Sequence, residues 1–189
     1  MADKKLVTAA LIGVIVGIIL AVEVIHIADQ RACPAPSCIG GAQVIPVSDR
    51  GYADAVLALL ADASESIHIA TFELKYYENY PDSSANKLVD ELIAAHRRGV
   101  DVKIIVDEYS KENNAYEKLK SEGINIRYDS KSTTTHAKLV VIDGKIVVLS
   151  STNLSYYGLE KNSETNVIIR DEKTAEYYEI YIANLLANS

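Results

Sequence analysis

The sequence has no tryptophan and a single phenylalanine, against 12 tyrosines. Its aromatic surfaces are therefore amphipathic, each ring carrying a hydroxyl that needs a partner when buried. It has only two cysteines, Cys33 and Cys38, close together near the N-terminus. That count excludes a four-cysteine zinc ribbon and a disulfide-dense scaffold. A local disulfide and a pair of free thiols both remain open. Basic charge is short as well: 19 Lys and Arg face 26 Asp and Glu, a formal net charge of -7. A protein that coats DNA by charge alone is excluded on that balance, whereas an acidic enzyme with a local basic site is not. There is no internal repeat and no low-complexity tract. What is present, 49% hydrophobic and 24% charged residues over 189 positions, suits one globular domain with a short appendage.

The appendage is N-terminal. Residues 6–22 carry no charge, and Thr8 is their only polar member. A helix over residues 6–28 would be about 34 Å long, enough to span a hydrocarbon core of about 30 Å. Lys4 and Lys5 precede it and favour a cytoplasmic N-terminus, which places the rest of the chain across the membrane. The rival reading is a cleaved signal peptide. The apolar run exceeds the usual h-region of about 7 to 15 residues, and no small-x-small site directly follows it, so a retained anchor is favoured. Gly13 and Gly17 form a G-x-x-x-G, the spacing that lets two membrane helices approach closely. Residues 29–41, with Pro34, Pro36, Gly40 and Gly41, read as a linker. The expected organisation is an anchor at 1–28, a linker at 29–41 and a soluble domain at 42–189.

Within that domain, periodicity predicts strands over 42–47, 66–72, 102–107, 124–128, 137–142, 145–149 and 166–170. It predicts helices over 52–63, 83–98, 114–121 and 171–187, the first capped by Ser48 or Asp49. Asp143-Gly144 is a strong hairpin turn between two of the strands. The fold class is α/β, a mixed β-sheet flanked by helices and preceded by one transmembrane helix.

The chemistry gathers around that hairpin. His136 and Lys138 are two apart at the head of one strand, and Ser151 and Asn153 are two apart just past the returning strand. An imidazole, an ammonium, a hydroxyl and a carboxamide at one end of a sheet make a phosphate site. Glu164, just before the next strand, is placed to hold one imidazole nitrogen and fix its tautomer. Asp143 reads as a turn residue first, because Asp-Gly suits the positive φ values required there. His68 reads as a core histidine on an apolar strand. His96, Arg97 and Arg98 close a helix, where cations offset the helix dipole, and a phosphate contact is the lesser reading. Tyr76, Tyr77, Tyr80, Tyr156 and Tyr157 suit either base stacking or ordinary packing. No histidine or cysteine spacing makes a convincing metal site.

His136-x-Lys138, Asp143 and Ser150-Ser151-x-Asn153 together resemble the HKD motif of the phospholipase D superfamily. The segment from Asn162 to Arg170 resembles the one that carries that family's supporting glutamate. The segment from Ile67 to Leu74 resembles its early strand. The family has Gly-Ser where this chain has Ser150-Ser151. Only one motif is present, and single-motif members resemble the small bacterial endonuclease and the mitochondrial phospholipase-D-like nuclease. The resemblance implies a homodimer with a shared active site and a metal-independent phosphodiesterase that needs no cofactor. It implies His136 as nucleophile and proton carrier. Lys138, Ser151 and Asn153 would bind the phosphate, and Glu164 would support His136. The resemblance of the single-motif form to nucleases implies nucleic acid as the expected substrate. The net charge disfavours a broad duplex face and suits a single strand, and residues 97–145 hold 10 Lys and Arg against 8 Asp and Glu, so the acidity is concentrated elsewhere. The alternatives are a phospholipase acting on membrane lipid and a non-catalytic dimer that binds anions. The expected location is a single-pass membrane protein with an extracytoplasmic catalytic domain.

Overall fold

The computed structural model describes residues 37–39, 41–109 and 115–189. The apolar run 6–22, with Gly13 and Gly17, lies outside the described residues. So does Cys33, and with it the question of a bond to Cys38. Among the described residues no helix is long and apolar enough to cross a membrane. A short strand, β1 (Ser37–Ile39), falls within the stretch read as a linker. The chain divides after Cys38, and the second unit, Ile39–Ser189, carries the fold and the site.

Its elements follow the alternation expected from the sequence: β2 (Ala42–Ser48), α1 (Gly51–Asp62), β3 (Ser66–Thr71), α2 (Ser84–Arg97), β4 (Asp101–Val106) and α3 (Ala115–Ser121), then β5 (Asn125–Tyr128), β6 (Lys138–Ile142), β7 (Ile146–Ser150), α4 (Tyr156–Glu160), β8 (Thr165–Arg170) and α5 (Glu172–Ala187). From β2 onward the strands lie in the order β2-β8-β7-β6-β3-β4-β5. β3, β4 and β5 are parallel, while β6, β7, β8 and β2 join in antiparallel pairs. The mixed sheet and its flanking helices are as the sequence leads one to expect.

The two-residue period of the strands sorts their side chains between two cores. Ile67, Ile69, Ile104, Val140, Ile142 and Val148 face α1, α2 and α3, against Val56, Leu60, Leu88, Leu92 and Leu119. Ala70, Ile105, Leu139, Val141 and Val147 face the other way, against Ala175 and Ile182 of α5. Burying one such branched side chain contributes about 1.5–3 kcal/mol. An exposed ion pair such as Arg97–Glu122 contributes about 1 kcal/mol or less. The helices are therefore held to the sheet by apolar packing, with charge as trim.

The hairpin between β6 and β7 turns at Asp143 and Gly144, with φ of 53° and 59°, the pair of positive values a tight primed turn requires. Asp143 does more than turn the chain. Its carboxylate accepts the N–H groups of Ser64, Glu65 at 2.7 Å and Ser66 at 2.9 Å, and the Ser64 hydroxyl at 3.1 Å. Partial burial opposes its charge, but the bonds from Ser66, Glu65 and Ser64 prevail and hold the carboxyl below the usual range. Asp143→Ala is expected to cost about 2 kcal/mol, read by urea unfolding, because three backbone donors at the head of β3 lose a charged acceptor. The sign with pH follows from the lowered carboxyl. The contribution is present above the ordinary 3.8 and is lost as pH falls through the folded-state value below it.

Two local details differ from expectation. The residue before α1 is Arg50, with no side-chain cap, and neither Ser48 nor Asp49 caps the helix. Asp49 instead adopts φ 51° and binds the backbone of Glu164. The short helix α4 was not foreseen. Ser155 caps it by accepting the Gly158 N–H at 3.4 Å, but five residues are too few to show a helical period.

Candidate active site

The site lies at the sheet end where β3 and β7 finish and β6 and β8 begin. Thr71 pairs with Lys138, and Ser150 pairs with Asn166. His136 sits two residues ahead of β6 on a short irregular segment whose backbone is pinned from both sides. The Thr135 N–H is shared by the carboxylates of buried Asp107 and Asp129, at 2.8 Å each. The carbonyl of Ala137 accepts the Phe72 N–H at 3.0 Å. The ring of His136 rests on Phe72, centroids 4.8 Å apart, and the residue is otherwise exposed. Its ring makes no hydrogen bond with the described residues.

Lys138 shares the Phe72 platform, its ammonium 5.2 Å from that ring and 3.0 Å from the His136 carbonyl. Partial burial pushes its ammonium below the ordinary 10.5, against the opposing charges of Glu73, Glu164 and Asp107. The chain thus brings His136 and Lys138 to one aromatic support.

Ser151 and Glu164 meet directly. The Ser151 hydroxyl donates to one Glu164 oxygen and accepts the Thr165 N–H at 3.1 Å, while Asn162 Nδ2 donates to the other Glu164 oxygen at 3.0 Å. Within one chain the glutamate is therefore bonded to Ser151 and Asn162 and not to the imidazole. Asn153 is half-buried, and its Oδ1 is fully buried without a hydrogen-bond partner among the described residues. An orphaned carboxamide oxygen is costly to keep unless something completes it. It lines a cleft of about 560 Å³ with Glu73, Lys75, Tyr77 and Tyr157.

The turn between β2 and α1, with the first turn of α1, supplies three supports that sequence reasoning missed. Asp49 holds Glu164 by both backbone groups, accepting its N–H at 2.9 Å and donating to its carbonyl at 3.0 Å. Arg50 donates to the carbonyls of Asn162 at 2.7 Å and Lys161 at 3.0 Å. Tyr52 is buried, and its hydroxyl donates to Ser150 Oγ at 3.2 Å. Burial pushes that phenol up to about 12, the Ser150 bond opposing and the charge of Glu164 adding, so it remains a donor. Ser150 Oγ in turn reaches the Lys138 carbonyl at 3.2 Å, tying the two strands of the motif together.

Other candidates lie apart from this set. His68 is bonded to Glu179 of α5 and stands 3.4 Å from Asp101, a tie between sheet and helix. Arg98 donates to the carbonyls of Leu60 and Ala61 at the end of α1, and Arg97 pairs with Glu122. Both arginines are engaged in holding helices. Among the described residues no three His, Cys, Asp or Glu side chains are gathered to hold a metal ion.

Residues 56–186 match the family described as "Cardiolipin synthase, PLD-like domain". This chain belongs to the phospholipase D-like family. It is similar to the "Mitochondrial cardiolipin hydrolase" of Xenopus laevis, 28% identical over 130 residues, covering 68% of this chain and 57% of that protein. It is also similar to the "Phospholipase D" of Rickettsia typhi, 29% identical over 126 residues, covering 65% of this chain and 57% of that protein. The chain thus spans less than two thirds of the length of these curated relatives. Among solved structures, the phospholipase D family member Nuc of Salmonella typhimurium superposes with a TM-score of 0.69 at 25% identity. That match covers 78% of this chain and 95% of Nuc. The phospholipase D-like fold accounts for the mixed sheet flanked by helices. Ser150 keeps a regular strand pairing with Asn166 directly before Ser151.

Proposed function

We propose that this phospholipase D-like domain is a phosphodiesterase that works as a homodimer with a shared, metal-independent active site. Nucleic acid, single-stranded, is its substrate. The observation that carries the reading is the His136 imidazole, exposed and without a hydrogen bond to the described residues, beside a partly buried lysine. Displacement at phosphorus through a covalent enzyme intermediate needs a nucleophile and, on the far side, an acid. One imidazole cannot be both at once, and the described residues place no second one nearby. A second copy of the chain supplies it, through the isologous contact that two-fold symmetry gives.

His136 of one copy attacks phosphorus, forming a P–N bond as the P–O bond to the leaving group breaks. The second copy's imidazole gives its proton to the leaving oxygen. That imidazole, now neutral, takes a proton from water. The hydroxide attacks phosphorus, the P–N bond breaks, and both histidines return to their starting states. Lys138 and the amide N–H of the Asn153 carboxamide hold the non-bridging oxygens where charge accumulates, and Ser151 joins them when its hydroxyl turns from Glu164 to the phosphate. Glu164, fixed by Asp49 and Asn162, supports the imidazolium across the dimer. The apolar run 6–22 supports attachment to a bilayer, with the catalytic domain on the extracytoplasmic side. The Gly13/Gly17 spacing supports pairing of the anchors.

The single-motif form, which resembles the small bacterial endonucleases, supports nucleic acid. The names of the curated relatives support a second reading, hydrolysis of phospholipid. The test is the full chain in detergent with excess EDTA, offered single-stranded DNA, single-stranded RNA and cardiolipin micelles. Strand cleavage is the expected result. Release of lipid products with no strand cleavage selects the lipid reading. Binding of strands without turnover leaves an anion-binding dimer.

The lysine makes a further expectation. Because burial lowers its affinity for a proton, Lys138 loses its charge before the ordinary 10.5 is reached as pH rises. The alkaline limb of kcat/KM is expected to fall below that pH, and Lys138→Arg, which keeps its charge, to flatten it at a lower plateau rate. A limb unchanged by the arginine would assign it to another group.

A further inference from the structure

Beside the motif the chain builds an aromatic surface that phosphodiester chemistry alone does not require. Past β3, Leu74 bridges Leu154 and Lys75 donates its N–H to the Leu154 carbonyl at 2.9 Å. Alternation turns Glu73, Lys75 and Tyr77 into the cleft that also holds Asn153. Tyr156 and Tyr157 follow directly at the start of α4. Tyr80 stacks on Tyr156 with centroids 5.7 Å apart and planes 20° from parallel. Tyr77 and Tyr157 meet the Tyr156 ring edge-on, at 6.3 and 5.7 Å.

The backbone that carries Tyr77 and Tyr80 is pinned. Asn86 is fully buried, accepts the Tyr77 N–H at 2.7 Å and donates to the carbonyls of Tyr77 and Tyr80 at 2.8 and 3.1 Å. The Tyr77 hydroxyl accepts the Tyr156 N–H at 3.1 Å, joining the two segments. Yet Tyr80 is 60% and Tyr157 68% exposed, so two rings stand open to solvent, Tyr157 in the same cleft as Asn153. The cleft's own charges are balanced, with the Lys75 ammonium 4.0 Å from the Glu73 carboxylate. A balanced pair offers a second phosphate little net attraction, whereas an aromatic face binds any nucleobase.

We infer that the Tyr157 side of this cleft is a nucleobase subsite that stacks the base next to the cleaved phosphate and selects single strands. A duplexed base has both faces covered by its neighbours and cannot lie on the ring. This inference rests on the nuclease reading above and adds to it the source of strand selectivity. The occupant is a base and not a second copy of the chain, because the rings adjoin the cleft that Asn153 lines.

The test uses the full chain in detergent and two strands of equal length, one bearing bases and one abasic, with cleavage and dimer mass both read. Wild type is expected to show a KM about 10-fold lower for the base-bearing strand. Tyr157→Ala is expected to raise that KM to the abasic value, and Tyr157→Phe, which keeps the ring, to retain the advantage. An equal loss on both strands for Tyr157→Ala overturns the inference in favour of a structural role. Dissociation of the dimer overturns it in favour of a self-association surface, and an unchanged base preference overturns it outright. If wild type cleaves neither strand but hydrolyses lipid, the nuclease reading itself has failed and the subsite falls with it.

Discussion

His136→Ala is expected to lower kcat/KM for phosphodiester cleavage by at least about 10,000-fold, because it removes both the nucleophile and the proton carrier from the shared site. The fold should survive the change. His136 is exposed, and the backbone on either side of it is held at Thr135 by Asp107 and Asp129 and at Ala137 by Phe72, through groups the substitution leaves in place. The loss by itself does not distinguish a shared site from two independent ones, and a mixing experiment does. When wild-type and His136→Ala chains are randomly reassorted in equal amounts, only about a quarter of the dimers hold two intact histidines. Activity near a quarter is expected. Activity near a half would mean that each chain works alone, and the two-histidine mechanism would be abandoned.

The second large effect comes from a residue with no side chain. A Cβ at Gly158 would lie 2.2 Å from the carbonyl oxygen of Asn153, and 3.0 Å from its nitrogen. No real contact is that short, and the obstructing atoms are backbone, so either α4 or the Asn153 loop must move. Gly158→Ala is expected to cost about 2–4 kcal/mol in urea unfolding, the range of severe overpacking. It should also reduce kcat/KM by about 100-fold, because a displacement of about 1 Å at a substrate-positioning group is enough for that. Gly144→Ala is the control. Its Cβ would meet nothing within 4 Å, and only the positive φ of 59° is strained. A cost of about 1 kcal/mol with kcat/KM intact is expected there. Equal losses of activity in the two variants would mean that α4 has no particular role in placing Asn153.

Together these residues show how the motif is held. Its own hairpin supplies His136, Lys138 and Ser151, but the geometry of each depends on an element elsewhere. Ser150 accepts from Tyr52 of α1, Glu164 is clamped by Asp49, and Asn153 is set by the close approach of Gly158. Asp143, which reads in sequence as a turn residue, also ties the hairpin to the head of β3, the strand that ends at the Phe72 platform.

Much of this was legible in order along the chain. Strand and helix periods give the elements to within a residue or two, because burial on one face is a local pattern with a fixed repeat. The spacing of His136, Lys138, Ser151 and Asn153 was readable for the same reason: a strand, a two-residue turn and a returning strand carry their registry in the sequence itself. By itself the sequence determined the mixed sheet, the hairpin and the side chains gathered at its open end. Tertiary structure alone decided what supports them. Asp49 and Glu164 are 115 positions apart, Arg50 and Asn162 are 112 apart, and Tyr52 and Ser150 are 98 apart. No periodicity spans such separations. These contacts exist because β2 lies beside β8 in the sheet, which brings the turn into α1 against the segment before β8. The open tyrosines have the same origin. Tyr80 and Tyr156 meet only because the segment after β3 and the start of α4 are drawn to the same end of the sheet.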